Sequence, residues 1–268
     1  MSHYVFENAA PQTAERFASL EALHDPTTIR HLESLGVGDG WACWEVGGGS
    51  GSIAAWLARR VGEGGHVLVT DIDPRFLATL EAAGLANAQV QRHDVTRDPL
   101  PGERFNLIHA RLVLMHLPTA DQVLRQFVEA LKPGGWLPVE DFVLHLVDRT
   151  FPAAARSAAA VFARVFAAVV QVVELHGNLP GWGRGLYQQL RVASLLDVGM
   201  EGHFAVWPGC SPRAQLDRVN FEQVQVEAVE RGLVTADEIE QALTLLEDPA
   251  IAFSSPVIFS AWGRRPAD

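Results

Sequence analysis

This chain offers little from which to build a disulfide framework, a metal cluster or a surface for polyanions. Its 268 residues include two cysteines, Cys43 and Cys210, too few for a disulfide scaffold and without metal-site spacing. Cys43 falls inside an apolar run and reads as a packing residue. His93, Asp94, His109 and His116 share no short ligand motif, so no metal is expected. No basic run exceeds the pairs Arg59–Arg60 and Arg264–Arg265, and the formal net charge is −11. Such a surface repels phosphate backbones and excludes nucleic acid as a substrate class. Between Met1 and Leu20 there is no continuous apolar block, since Glu7, Glu15 and Arg16 intervene, and neither a secretory signal nor an anchor is expected. The longest apolar region, near Ala158 to Val173, is interrupted by Arg164 and Gln171 and is short for a bilayer span. The expected location is cytoplasmic, with no membrane association. Internal repeats and low-complexity tracts are also missing.

What the chain does have is apolar residue, 48% of the total and ample for a sizeable core, and one concentrated motif. Trp41 to Val46 reads as a short buried strand. Behind it Ile53, Ala54, Trp56, Leu57, Ala58 and Val61 recur at helical spacing. Gly47, Gly48, Gly49 and Gly51 reverse the chain between the two, where glycine tolerates positive φ and leaves backbone bare for a ligand. Strand, glycine turn and helix form the entry to a nucleotide-type site in an open α/β sheet. Glu45 ends the strand facing the ligand crevice. A second strand, His66 to Thr70, runs into Asp71 about 20 residues past Gly51, the separation at which a carboxylate accepts bonds from ribose hydroxyls.

Glu45-x-Gly47-x-Gly49-x-Gly51, with Asp71 closing the next strand, resembles the first two motifs of the class I S-adenosylmethionine-dependent methyltransferases, in their small-molecule, natural-product branch. Gln89 to Val95 resembles the third strand and acidic turn, Phe105 to Arg111 the fourth strand, and Leu131 to Leu137 the turn into the fifth. The match is good over Leu32 to Phe142 and loose elsewhere. It implies a Rossmann-like α/β fold: a seven-stranded, mostly parallel sheet with helices on both faces, an N-terminal lid and helical cap insertions. It also implies S-adenosyl-L-methionine as cofactor, with Glu45, Gly47, Gly49, Gly51, Asp71, Ile72, His93, Asp94, Val95, Ala110 and Arg111 around it. Asp94 is the candidate partner of the adenine amino group, and Val95 packs beside the ring. In such proteins N-terminal segments cover the cofactor, which makes Tyr4 and Arg16 candidates at its methionine end.

The remaining pattern fits a single domain over residues 1–268. It divides into a lid at 1–35, a cofactor-binding core at 36–150, a helical cap insertion at 151–191, and the rest of the sheet with a two-helix insertion at 192–268. Pro11 to Leu23 reads as one helix and Asp25–Pro26 as the start of another, Asp25 being the cap. Later helices are expected at Asp121 to Leu131, Phe151 to Leu175, Gly185 to Val198, Ser211 to Glu230 and Thr235 to Glu247, the last opened by a Thr235-x-x-Glu238 capping box. Strands are expected at Glu201 to Pro208 and Ser255 to Gly263.

The implied reaction is displacement at the sulfonium methyl carbon, in which the protein chiefly aligns a nucleophile with the methyl–sulfur bond. His116 and His109 are the candidate bases, because imidazole titrates near neutral pH; Tyr4 and Glu140 are secondary. Phe162, Phe166 and Trp182 suggest a small, largely apolar, aromatic acceptor, with Tyr4 and Glu140 also in its pocket. Besides this acceptor, a homodimer partner stays open. So do two other functions: an adenosylmethionine-binding protein that uses the cofactor without methyl transfer, as a cyclase or sensor, and a nicotinamide-dependent dehydrogenase.

Overall fold

The computed structural model describes residues 13–78, 80, 83–144 and 156–267. Tyr4, the rest of the expected lid before Thr13, and the start of the expected cap at Phe151 lie outside the described residues. The helices are α1 (Thr13–Ser34), α2 (Ser52–Val61), α3 (Ala120–Ala130), α4 (Arg156–Leu175), α5 (Leu186–Val192), α6 (Pro212–Glu230) and α7 (Ala236–Leu246). The strands are β1 (Ala42–Val46), β2 (His66–Asp71), β3 (Ala88–Arg92), β4 (Phe105–Arg111), β5 (Leu131–Val143), β6 (Leu196–His203), β7 (Val206–Pro208), β8 (Ala252–Ser254) and β9 (Val257–Arg264).

Seven strands form one sheet in the order β3-β2-β1-β4-β5-β9-β6. β1 to β5 run parallel, and β9 lies antiparallel between β5 and β6. The strand order reverses between β1 and β4, and ligands of open α/β sheets lodge outside the carboxyl ends at such a point. β1 shows why its sequence makes a central strand. Successive side chains alternate between faces, so Trp44 and Val46 enter the core under α3 and α5, while Cys43 enters the one under α1 and α2. Trp44 is sealed among Phe105 and Phe127, with ring centroids 5.5 and 5.4 Å away. Burying a side chain of this class contributes about 1.5–3 kcal/mol.

Three departures from the sequence reading have physical causes. α1 runs unbroken through Pro26. Asp25 is no cap: its carboxylate accepts from Arg111 Nη2 at 2.8 Å, and Arg111 Nη1 donates to Thr28 at 2.9 Å, so tertiary bonds hold the helix across the proline. The helix expected to reach Val198 stops at Val192, because the chain joins the sheet edge as β6 from Leu196. The single strand expected over Glu201 to Pro208 is split. β6 ends at His203, and Val206–Pro208 pairs with β8 in a separate two-stranded sheet.

α4, α6 and α7 build a second core with β8. Phe162 lies at its centre, 5.4 Å from Phe221 and 4.9 Å from Phe253 between ring centroids. Ala158–Leu175 is long and apolar enough to cross a membrane by length and composition, yet here one face of it, from Phe162 to Val173, packs against α6 and α7, while Leu175 is exposed. The capping box of α7 forms as the sequence indicates, Thr235 and Glu238 each bonding the other's backbone N–H.

Candidate functional site

The residues singled out from the glycine motif meet at one cavity of about 530 Å³ over the carboxyl ends of β1, β2 and β4. Gly47 and Gly48 both donate backbone N–H groups to Thr70 O, at 2.8 and 3.0 Å, which ties the turn to the end of β2. Gly47 has φ 69°, and a Cβ there would lie 2.4 Å from Val113 Cγ2. Gly49 has φ 57°, and a Cβ would meet Phe17 of α1 at 3.4 Å. Gly47 thus serves both the left-handed backbone and the close approach, and Gly49 the left-handed backbone, its Phe17 contact being an ordinary one. Gly51 caps α2 with φ 93° and packs on Leu77 and Leu80; it shapes the turn from behind rather than lining the cavity.

Asp71 Oδ2 accepts from Gly49 N–H at 3.1 Å and Oδ1 from Asp73 N–H at 2.9 Å. Burial pushes this carboxyl above its usual range, against the pull of those two N–H groups. Beyond it, Ile72, His93, Asp94 and Val95 line the same end of the cavity, together with Thr96 and Arg97. Asp94 Oδ1 accepts from the Thr96 N–H and hydroxyl at 2.9 and 2.6 Å. Its partial burial works upward, but these bonds and the Arg97 charge hold it below the usual range. His93 Nε2 lies 3.1 Å from Pro99 O, which makes it a loop tether at the cavity edge.

At the other end, Arg16, Phe17, Leu20 and Glu21 of α1 face Glu45, Ser50, Arg111, Leu112, Val113, His116 and Leu117. Glu21 accepts from the Ser50 hydroxyl, and Arg16 Nε donates to Asn220 at 3.2 Å, so α1 is bonded to both the glycine turn and α6. Leu112 holds a left-handed backbone, φ 56°, directly after β4. A bulky residue there is strained, and such strain concentrates at ligand-facing loops.

The two candidate histidines differ sharply. His116 is on the cavity wall, half-buried, with Nδ1 2.6 Å from Asn178 Oδ1. Asn178 Nδ2 donates to Val173 O at 2.9 Å, which orients the amide and makes His116 Nδ1–H the donor. Nε2 is then the basic nitrogen. Burial lowers His116 to about 4, Asn178 opposing and Arg16 assisting, so the ring is neutral at pH 7. His109 is 0% exposed and does not line the cavity. Burial works against its charge, but Glu45 at 2.7 Å and Glu140 at 3.6 Å outweigh it and push it up to about 9. A sealed imidazolium holds its proton at neutral pH, so the expectation of His109 as a base is corrected to that of a buried bridge.

Glu140 is likewise under the site rather than in it. It is buried, does not line the cavity, and accepts from Ser260 and Thr28, with His31 Nδ1 at 3.4 Å. Burial works upward, but His109 and His31 hold it well below its ordinary range. Ala110 is buried in the sheet core. Phe162 and Phe166 belong to the second core, and Trp182 packs against the sheet core, none of them on the cavity. Their apolar character serves packing, which correct the pocket assignment made from composition. The sequence reading missed Phe17, Glu21, Thr96 and Arg97 as wall residues. Only the spacing of Arg16, Phe17, Leu20 and Glu21 on one side of a helix signalled the first two.

Residues 44–137 match the family model of the methyltransferase domain. Methyltransferase str2 of Strobilurus tenacellus is 29% identical over 185 residues, 67% of this chain and 63% of that protein. The ubiquinone/menaquinone biosynthesis C-methyltransferase UbiE of Vibrio vulnificus is 31% identical over 122 residues, 44% of this chain and 47% of that protein. The chain therefore spans less than two thirds of the length of these relatives. In fold it is similar to phosphoethanolamine N-methyltransferase 2 of Haemonchus contortus, solved with phosphomonomethylethanolamine and S-adenosylhomocysteine. The TM-score is 0.60 at 12% identity, over 100% of this chain and 60% of that one.

Proposed function

Because this chain is built on a class I S-adenosylmethionine-dependent methyltransferase domain, we propose that it transfers the cofactor's methyl group to a small, largely apolar acceptor of natural-product type. S-adenosylmethionine is the cofactor of such domains, and it supplies a methyl group activated by a positive sulfur. One observation supports the reading most: a single cavity of about 530 Å³ joins Asp71, Asp94 and the glycine turn to the segment Arg111–Pro118 after β4. The residues suit the cofactor by their chemistry. Asp71 is an acceptor pair at the edge of the turn, and the backbone of Gly47 to Gly49 is bare. Asp94, in the cavity lining, would accept from an exocyclic amine, and Glu45, also in the lining, would offer a carboxylate to a cationic end.

The protein's own contribution is alignment and a proton acceptor. Holding the reacting atoms in line can supply about 7–11 kcal/mol of the barrier. His116, neutral and fixed by Asn178, is the base for an acceptor that must lose a proton, a contribution of about 10²–10⁴-fold. Leu112, Val113, Leu117 and Leu20 give the adjoining wall its apolar character. Incubation with methyl-labelled S-adenosylmethionine and a panel of phenols, indoles and amines tests the proposal. Transfer of label to an acceptor supports it; cofactor binding with a product that gains no methyl group refutes it.

A further inference from the structure

A row of polar residues crosses five neighbouring strands of the sheet. Glu45 of β1 stands opposite His109 of β4, and Arg111 of β4 opposite Glu140 of β5. Glu140 stands opposite Ser260 of β9, and Ser260 opposite Glu201 of β6. His109 and Arg111 are two residues apart on one strand and so share a face. The hub of the row is Glu140. His109 Nε2 lies 3.6 Å from Glu140 Oε2, and His109 Nδ1 lies 2.7 Å from Glu45 Oε2. From α1 the Thr28 hydroxyl donates to Glu140 Oε2 and accepts from Arg111 Nη1 at 2.9 Å. Ser260 holds the other oxygen, Oε1. One buried carboxylate is thus tied through His109 to Glu45 and through Thr28 to Arg111, an anion and a cation that both line the cavity.

A buried ionic network is a poor source of stability, since apolar residues of similar volume often serve as well or better. Burial opposes the charge of Glu140, yet the bonds from His109 and His31 and the charges of His109 and Arg111 hold its carboxyl well below the ordinary range. What the network secures lies at its two ends. A charged Glu140 beside Nε2 favours a proton on both ring nitrogens of His109, so Nδ1–H donates to Glu45 in every state of the pair. The Thr28 hydroxyl gives its one proton to Glu140 and can offer Arg111 only lone pairs, which fixes the guanidinium as donor. We propose that Glu140 is a positioning residue that presets Glu45 and Arg111 as a pair of opposite charges for the zwitterionic amino-acid end of the cofactor. The inference rests on the methyl-transfer reading. The amino-acid end carries an ammonium, complementary to Glu45, and a carboxylate, complementary to Arg111. Of the five guanidinium N–H groups, those bonds to Thr28 and Asp25 use two.

The test is calorimetry with two ligands, S-adenosylhomocysteine and methylthioadenosine, the second being the same nucleoside thioether without the amino-acid end. Wild type should bind S-adenosylhomocysteine the more tightly. Glu140→Gln keeps the shape of the side chain and removes its charge. Its affinity for S-adenosylhomocysteine should fall about tenfold, equivalent to about 1.4 kcal/mol, while methylthioadenosine binds as to wild type. Thr28→Val keeps the branched shape without the hydroxyl. It should show the same selective loss at about threefold, that of one hydrogen bond, and it carries the test if Glu140→Gln does not fold. A merely structural role would lower the melting temperature and leave both affinities unchanged or weaken them together; either pattern overturns the proposal. So does a wild type that binds the two ligands equally, and in that case methyl transfer still stands. A wild type that binds neither ligand refutes the methyl-transfer reading, and this inference with it.

Discussion

Glu45 and His109 stand opposite each other in the register of β1 and β4 and share a 2.7 Å hydrogen bond closed to solvent. The carboxylate that faces the cavity is thereby braced from behind, and His109 reaches Glu140 on its other side at 3.6 Å. Glu140 in turn accepts from Thr28 of α1. One buried chain of charge thus joins the cavity wall at Glu45 to α1, which also lines the cavity.

That chain sets a stability profile. His109 is pushed up to about 9, so the folded protein holds this proton more tightly than the unfolded chain. Its contribution is complete below its unfolded value, about 6.5, and is lost as pH rises towards 9. His24 and His116 are lowered to about 3 and about 4, and their effect is the reverse: stability present above about 6.5 is lost as pH falls. Urea midpoints across pH should fall on both sides of near-neutral pH. His109→Gln should cost about 3–5 kcal/mol by stranding two buried carboxylates, and should flatten the alkaline limb. An alkaline limb as steep as wild type would show that His109 is not the titrating group.

Asp71→Ala should weaken S-adenosylhomocysteine binding by well over tenfold, since a bond to a charged group contributes about 1.5–3 kcal/mol. Calorimetry reads this directly. Unchanged affinity in a folded variant would remove Asp71 from the ribose position.

Gly49→Val should abolish cofactor binding, because the backbone is left-handed there and the added methyl groups would occupy a turn that lines the cavity. Gly84→Ala is the control. Its φ is 67°, but a Cβ would meet nothing within 4 Å, so it should cost about 1–2 kcal/mol of strain and leave binding intact. Equal loss of binding in both would mean that strain alone, not a ligand on the turn, explains Gly49.

The glycine turn was legible from the sequence because an apolar strand, a helical repeat and four glycines constrain one short stretch together. Asp25–Pro26 was misread for the opposite reason. Its local pattern is that of a helix start, while the bonds that decide it come from Arg111, far along the chain. His109 and His116 look alike in sequence; only the carboxylates packed around one and the amide beside the other separate a charged bridge from a neutral base. The apolar inventory of α4 shows that something must cover it, but not whether a ligand or another helix does.

For that reason Phe162→Ala should act on the fold rather than on the site. Loss of this ring from among Phe221 and Phe253 should cost about 3–5 kcal/mol of stability. Affinity for S-adenosylhomocysteine should stay within experimental error. A stable variant with weakened ligand binding would return Phe162 to the pocket.

The central claim is methyl transfer from a cofactor held between the glycine turn and Asp71. Mass spectrometry of acceptor incubated with methyl-labelled S-adenosylmethionine tests it most directly, with wild type and Asp71→Ala in parallel. The account predicts a product carrying one labelled methyl group, formed by wild type and greatly reduced in the variant. A product without the labelled methyl, or equal labelling by both proteins, would contradict it.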